Sequence, residues 1–192
     1  MEVELTVELG ADDPTLAVPW SDPEGRFSYF DLRRDPSAID RMEEALTFPG
    51  LRDFLNVVNS PVSNLQSAKC DAWFSDEITE EELIFGAQCK FGSYVDLTFH
   101  QPGPQTSFPL HEAFGQRWVE LLKRAPEMPA SAEIIIRRAH YEEDSGEVRE
   151  GFYFTLYVFG FGDDEEETRK TWEIALRLAG HAVLQLSAGR GR

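Results

Sequence analysis

Cysteine is scarce: Cys70 and Cys89 are the only two in 192 residues, too few for a disulfide framework. Long hydrophobic runs are missing as well. None approaches the roughly 20 residues of a membrane-spanning helix. The opening MEVELTVEL has no basic segment ahead of its apolar residues, so a secretory leader is not expected. Positive charge is in deficit, with 18 Lys and Arg against 35 Asp and Glu and a net charge of −17. A nucleic-acid-binding protein needs a basic stripe for the phosphates, and this chain has none. No phosphate loop, dinucleotide fingerprint, nucleophile elbow or zinc spacing occurs. Gly160-Phe161-Gly162 precedes a helical stretch, but the third glycine is missing and the acids that follow would repel phosphate.

What is present is the composition of a packed protein: 42% hydrophobic and 12% aromatic residues, at a length that suits one compact domain. Val3, Leu5, Val7 and Leu9 alternate with polar residues, the period of a half-buried strand. A loop rich in Pro and Asp follows, and residues 26–33 read as a second, aromatic strand. Asp35-Pro36 reads as a helix start, with Ile39, Met42 and Leu46 on one side. Leu51, Phe54, Leu55 and Val58 form a second short helical stripe. Residues 66–74 and 83–99 read as strands. In the longer one, Leu83, Phe85, Ala87, Cys89, Phe91, Val95, Leu97 and Phe99 share one parity, while Lys90, Tyr94, Asp96, Thr98 and His100 share the other. Gly86 and Gly92 are expected to bend it. Leu110, Phe114, Trp118, Leu121 and Leu122 predict a helix, and 132–141 and 152–161 predict a hairpin whose second strand is central. Asp163 and Asp164 open a last helix, which Gly180 should end, with a final strand over 181–186.

The chain also resembles itself. Ser28-Tyr29-Phe30-Asp31-Leu32 matches Ser93-Tyr94-Val95-Asp96-Leu97, and each copy is followed by a Phe-Pro helix opening and then a hairpin. The fold expected is α+β: a mostly antiparallel sheet with helices on one face, built by a tandem β-α-β-β duplication. The parts are an N-terminal strand and loop (1–25), a first unit (26–92), a second unit with an extra helix and strand (93–186) and a disordered tail (187–192). The second unit has the split βαβ order of a ferredoxin-like half, a common architecture that carries no function with it.

Several groups could carry chemistry. The polar parity around Trp73, Tyr94, Asp96 and His100 has the mixture expected of a small-ligand or peptide groove. Asp31 and Asp96 occupy matching repeat positions and would form a carboxylate pair if the repeat is symmetric. The hairpin turn centred near 79–80 would set Cys70 opposite Cys89, where two reduced, buried thiols are expected rather than a bond. None of the four histidines has metal-ligand spacing, and neither a metal nor a cofactor is expected. The acid-rich turn with Glu80, Glu81 and Glu82 is a docking surface for a basic protein, or simply a solvated tip. These features predict a cytoplasmic, non-catalytic interaction or regulatory protein, for which an immunity protein or antitoxin is one concrete case. The alternative is a small-molecule-binding α+β domain, or a minor enzyme, using the polar sheet face. Neither a membrane nor a nucleic acid is an expected partner, and oligomeric state leaves no mark on the sequence.

Overall fold

The computed structural model describes residues 1–25, 27–143 and 145–189. Six strands make one mixed sheet: β1 (Glu2–Val7), β2 (Thr15–Val18), β3 (Leu65–Ser75), β4 (Cys89–Phe99), β5 (Ala130–Glu142) and β6 (Val148–Gly162). The order across the sheet is β1-β5-β6-β4-β3, and β2 continues the β1 edge along the second half of β5. Pairings among β3, β4, β6 and β5 are antiparallel, while β1 and β2 run parallel to β5. The helices are α1 (Glu43–Thr47), α2 (Pro49–Val58), α3 (Pro102–Gln105), α4 (Phe108–Leu122) and α5 (Glu165–Ala188). No helix among the described residues is long and apolar enough to cross a membrane.

The helices pack on one face of the sheet, where one continuous core forms. Along β4 and β6 the alternation decides what enters it: Phe91, Val95 and Leu97 point to the helices with Phe154, Leu156 and Val158. Trp118 and Trp172 are fully buried there, and each finds a partner for its indole N–H. Trp118 Nε1 donates to the Ala179 carbonyl at 3.2 Å and Trp172 Nε1 to Ser93 Oγ at 2.9 Å, so neither ring strands a polar atom in the core. α5 starts with Asp164 accepting the Glu167 N–H at 2.9 Å, while three glutamates complement the helix dipole.

Several expectations need correction. Residues 27–33 form no strand, and Arg26 lies outside the described residues. The loop ahead of them holds β2 instead, and the Arg33 guanidinium pins the segment by donating to the carbonyls of Ser60, Pro61 and Ser63. Asp31 is a turn residue accepting the N–H groups of Arg33 and Arg34, whereas Asp96 is buried within β4. The two are therefore not equivalent, the carboxylate pair does not form, and the duplication is not reproduced. The unit boundary at 92–93 falls inside β4. Residues 81–85 are a 3-10 turn closed by Gly86 at φ 65°, which leaves β4 only eleven residues long. The cysteines are not opposed: Cys70 faces Val95, Cys89 faces Gly162, and both are free.

The final strand over 181–186 is absent because α5 runs on through it. Gly180 is no stop signal. A Cβ there would stand 3.2 Å from Val57 Cγ1 and 3.4 Å from a Phe54 ring carbon, so the glycine lets α2 lie close on α5. Of the tail, Ser187 and Ala188 belong to α5, and 190–192 lie outside the described residues. In the C-terminal half, β4, β6 and β5 keep the split βαβ order. The place where a fourth strand would pair is filled by β3, which precedes β4 in the chain.

Sheet and helix come very close together at Gly160. A Cβ there would overlap the Trp172 nitrogen and the Thr168 carbonyl, both backbone atoms with nowhere to move. Gly160→Ala should therefore destabilise the protein by about 3 kcal/mol or more, the upper range of overpacking costs. Urea unfolding checks this, and a loss below 1 kcal/mol would show that α5 is not held at this distance.

Candidate functional site

Among the described residues the other face of the sheet carries no α-helix. Its β6 residues are Tyr153, Thr155, Tyr157, Phe159 and Phe161, set beside Lys90, Tyr94 and Asp96 of β4, then Lys69, Asp71 and Trp73 of β3. One end is roofed by β2 with Trp20 and Tyr29, where Leu16 and Val18 cluster with Ala68, Ala139, Tyr141 and Tyr153, and the other by the 81–85 turn, whose Phe85 stacks on Phe161 with centroids 4.2 Å apart. Trp20 and Tyr29 pack against that cluster, and the Trp20 indole donates to the Ala68 carbonyl at 2.6 Å. The centre stays open, and Trp73, Tyr94, Tyr157 and Phe159 lie half-buried in it.

Their rings form a ladder. Tyr94 and Tyr157 face each other across the β4–β6 ladder with centroids 6.0 Å apart, and Trp73 meets Phe159 edge-on at 6.1 Å. The second contact crosses β4 at Gly92, where a Cβ would stand 2.6 Å from the Phe159 ring and 3.2 Å from Trp73. Gly92 is a slot for two rings rather than a bend. Lys90 sits 5.4 Å over the Phe159 ring, and the Arg137 guanidinium 6.0 Å over Tyr157.

Beneath the rings runs a polar chain. Arg137 Nε donates to Glu8 at 2.7 Å, Arg137 Nη1 donates to Thr155 Oγ1 at 3.0 Å, and Thr155 Oγ1 donates to Asp96 Oδ1 at 2.7 Å. Asp96 is only 6% exposed. Burial pushes its carboxyl up to about 6, against the Thr155 hydrogen bond and the charges of Arg137 and Lys69. Burial also raises the neighbouring phenols, Tyr153 to about 12, with the Asp96 charge adding to it. Burial, then the carboxylates of Glu44, Asp71 and Asp96, raises the Cys70 thiol, so it stays protonated and inert.

The expected site residues are thus partly assembled. Trp73, Tyr94 and Asp96 share this face, with Lys69 opposite Asp96 and Asp71 opposite Tyr94. His100 does not join them. It lies past the end of β4, roughly 20 Å along the strand from Tyr94 at the usual rise, with Nδ1 3.1 Å from the Asn64 carbonyl. Sequence reasoning missed Arg137, Thr155, Tyr157 and Phe159. The alternation Tyr153-Thr155-Tyr157 against Phe154-Leu156-Val158 was the available signal, masked because both parities are hydrophobic enough for a central strand. Among the described residues, no group of three or more His, Cys, Asp or Glu is arranged to hold a metal ion.

Glu80, Glu81 and Glu82 lie elsewhere, at the end of the sheet where β3 leads to β4. The Cys89–Gly162 pairing brings the acidic start of α5 to the same end. Leu83 and Ile84 are 62% and 73% exposed within that acidic pole. Glu82 is not a solvated tip residue: both its oxygens lie 2.7 Å from Lys90 Nζ, and it accepts the Thr79 N–H. No family model matches the chain, and the searches of curated proteins and of solved structures returned no match.

Two outcomes follow from these contacts. Asp96 holds its proton more tightly folded than unfolded, so stability is unpenalised below pH 4 and falls as pH rises to about 6. Asp96→Asn keeps the Thr155 contact without the charge and should add about 2–3 kcal/mol at pH 7 relative to pH 4; urea unfolding of both proteins across that range measures it. In the acidic turn, Glu80→Lys with Glu81→Lys should leave the melting temperature unchanged, because exposed charges contribute little. Adding Glu82→Lys, which sets like charges against Lys90, should lower it by several degrees.

Proposed function

We propose that this is a cytoplasmic, non-catalytic interaction protein that engages a cationic protein through the bare sheet face; immunity or antitoxin activity would be one instance. The observation that carries the reading is the composition of the open centre. Trp73, Tyr94, Tyr157 and Phe159, with Arg137 among them, are the residue types that dominate binding energy at interfaces. Around them the described residues place carboxylates on both sides: Glu4 and Glu133 at the β1–β5 margin, with Glu8 paired to Arg137, and Asp71 on β3. An apolar centre within an acidic rim selects a partner with a positive rim and steers its approach. Asp96 fits the same role. A carboxylate kept below the rings at a cost to stability is the kind of feature that function retains and stability alone would not.

The test is comparative capture from host extract. Immobilised wild-type protein should retain a basic protein that elutes with rising salt, and Tyr157→Asp should weaken its affinity by about 30-fold or more, the scale of a hot-spot residue. Charge reversal at Glu4 and Glu133 should mainly slow association. A retained protein indifferent to Tyr157→Asp, or retention of a small molecule alone, would sink the proposal.

A further inference from the structure

At the β3 margin of the bare face lies a cleft of about 640 Å³, within the range of small-molecule sites. Its walls are apolar and largely aromatic: Trp20, Phe27 and Phe30 from the loop, Met42 ahead of α1, and Tyr94 from β4. The β3 backbone offers a ligand little. The strand is bulged between Ser67 and Lys69, Asn59 takes the Ser67 N–H, Trp20 takes the Ala68 carbonyl and Asp71 takes the Ala72 N–H. What a ligand meets is therefore side chains.

Those side chains are unbalanced in charge. Asp22, Glu43, Glu44 and Asp71 line the cleft against Lys69 and Arg41, an excess of two negative charges. Both cations are already placed. Lys69 Nζ lies 5.7 Å over the Trp20 ring, and Arg41 lies 5.2 Å over Phe30 while paired at 3.0 Å to Asp35, outside the cleft. Asp22 is engaged too, its oxygens accepting the N–H groups of Glu24 and Phe27. Glu43, Glu44 and Asp71 form no ion pair among the described residues. Glu44 is half-buried, and a carboxylate beside apolar walls gains more from a cation than one in open water.

The placement of these carboxylates decides the kind of cation. Glu43 and Glu44 open α1, whereas Asp71 stands on β3. Glu44 and Asp71 both help to raise the thiol of Cys70, which lines the cleft, so their fields meet there. Yet among the described residues no group of three or more His, Cys, Asp or Glu is arranged to hold a metal ion. Carboxylates on separate elements within apolar walls suit positive charges joined by hydrocarbon. Trp20 and Phe30 each already lie beneath a cation, so these walls accept positive charge. Two such charges are what the lining lacks.

We propose that the cleft binds a small aliphatic diamine: one ammonium group pairs with Glu43 and Glu44, the other with Asp71, and the hydrocarbon between them lies along the aromatic walls. The inference goes beyond the reading of the bare face and does not depend on it, because Trp73, Tyr157 and Phe159 lie outside the cleft.

The experiment titrates the full chain, ¹⁵N-labelled, with unbranched diamines from 1,3-diaminopropane to 1,8-diaminooctane and with the matching monoamines. Salt is held at about 0.15 M, where exposed charges more than about 8 Å apart are largely screened. The best diamine should saturate one site, shifting the Trp20 indole and the amides of Glu43, Glu44 and residues 69–71. Its monoamine should bind about tenfold or more weakly, the scale of one lost charge-assisted contact. Glu44→Gln with Asp71→Asn, which keeps an acceptor for the Ala72 N–H, should erase that difference. Tyr157→Asp, and Glu80→Lys with Glu81→Lys at the acidic pole, should each leave it intact. If the cleft variant does not fold, the wild-type shift map and the monoamine comparison decide alone. Equal affinity for diamine and monoamine, shifts spread over the acidic pole, or no saturation would overturn the proposal. So would displacement of the diamine by an equal concentration of magnesium, which would reduce the effect to counterion attraction. N-acetyl-lysine amide binding as tightly as the diamine would also overturn it, and would assign the cleft to a side chain of a protein partner.

Discussion

The arrangement depends on one close approach: the backbone of α5 resting on the backbone of β6 at Gly160. A sheet and a helix normally stay apart by the depth of two side-chain layers. Removing one layer at a single point lets Trp172 drop between Phe91 and Phe48, with ring centroids at 4.6 and 6.3 Å. α5 then lies across the middle of the sheet and receives α2 and α4 on its flanks. All the helical mass is drawn to one side. Among the described residues no second α-helical layer lies on the other side, and so β6 turns a row of tyrosine and phenylalanine rings to a face covered only at its ends, by β2 with Trp20 and Tyr29 and by the 81–85 turn through Phe85.

That uncovered face holds a conflict that the rest of the fold absorbs. A buried carboxylate at Asp96 is unfavourable, and the hydrogen bond from Thr155, together with the nearby Arg137 charge, relieves only part of that cost. An apolar residue would pack there at no such cost. The chain Glu8–Arg137–Thr155–Asp96 ties the β1 edge to β4 across three strands, so the charged groups share one network rather than acting as separate surface ions.

Much of this was legible in the alternation of residues, and the failures have physical causes. The parity of β4 separates Phe91, Val95 and Leu97 from Tyr94, Asp96 and Thr98 as the structure does, because a pleated strand admits only two sides. The same parity overran the strand at Leu83 and Phe85, since a 3-10 turn can present apolar residues with no regard to a sheet. Gly180 was misread because glycine serves both helix ends and close helix contacts, and only the partner helix tells them apart. Ser28 to Leu32 resembles Ser93 to Leu97 in letters, but one segment has a neighbouring strand and the other is held by Arg33. Asp96 is legible on the polar parity of β4 beside Tyr94, but not as a partner of Asp31, since the repeat that would pair them is not reproduced. Its importance comes from depth, which no single sequence encodes. Trp73 and Tyr94 follow from strand parity and residue type together, whereas their β6 partners required knowing which strand lies next to β4.

The placement of the four tryptophans gives the molecule a built-in optical division. Trp118 and Trp172 lie wholly within the core, and Trp20 and Trp73 are half-exposed at the cleft and on the bare face. The inner pair emits from a dry environment and the outer pair from a partly wet one. The blue edge of the intrinsic fluorescence therefore reports whether the chain is folded, and the red edge reports whether its surface is occupied. A partner that quenches the red edge and leaves the blue edge untouched has covered the sheet without disturbing the core beneath it.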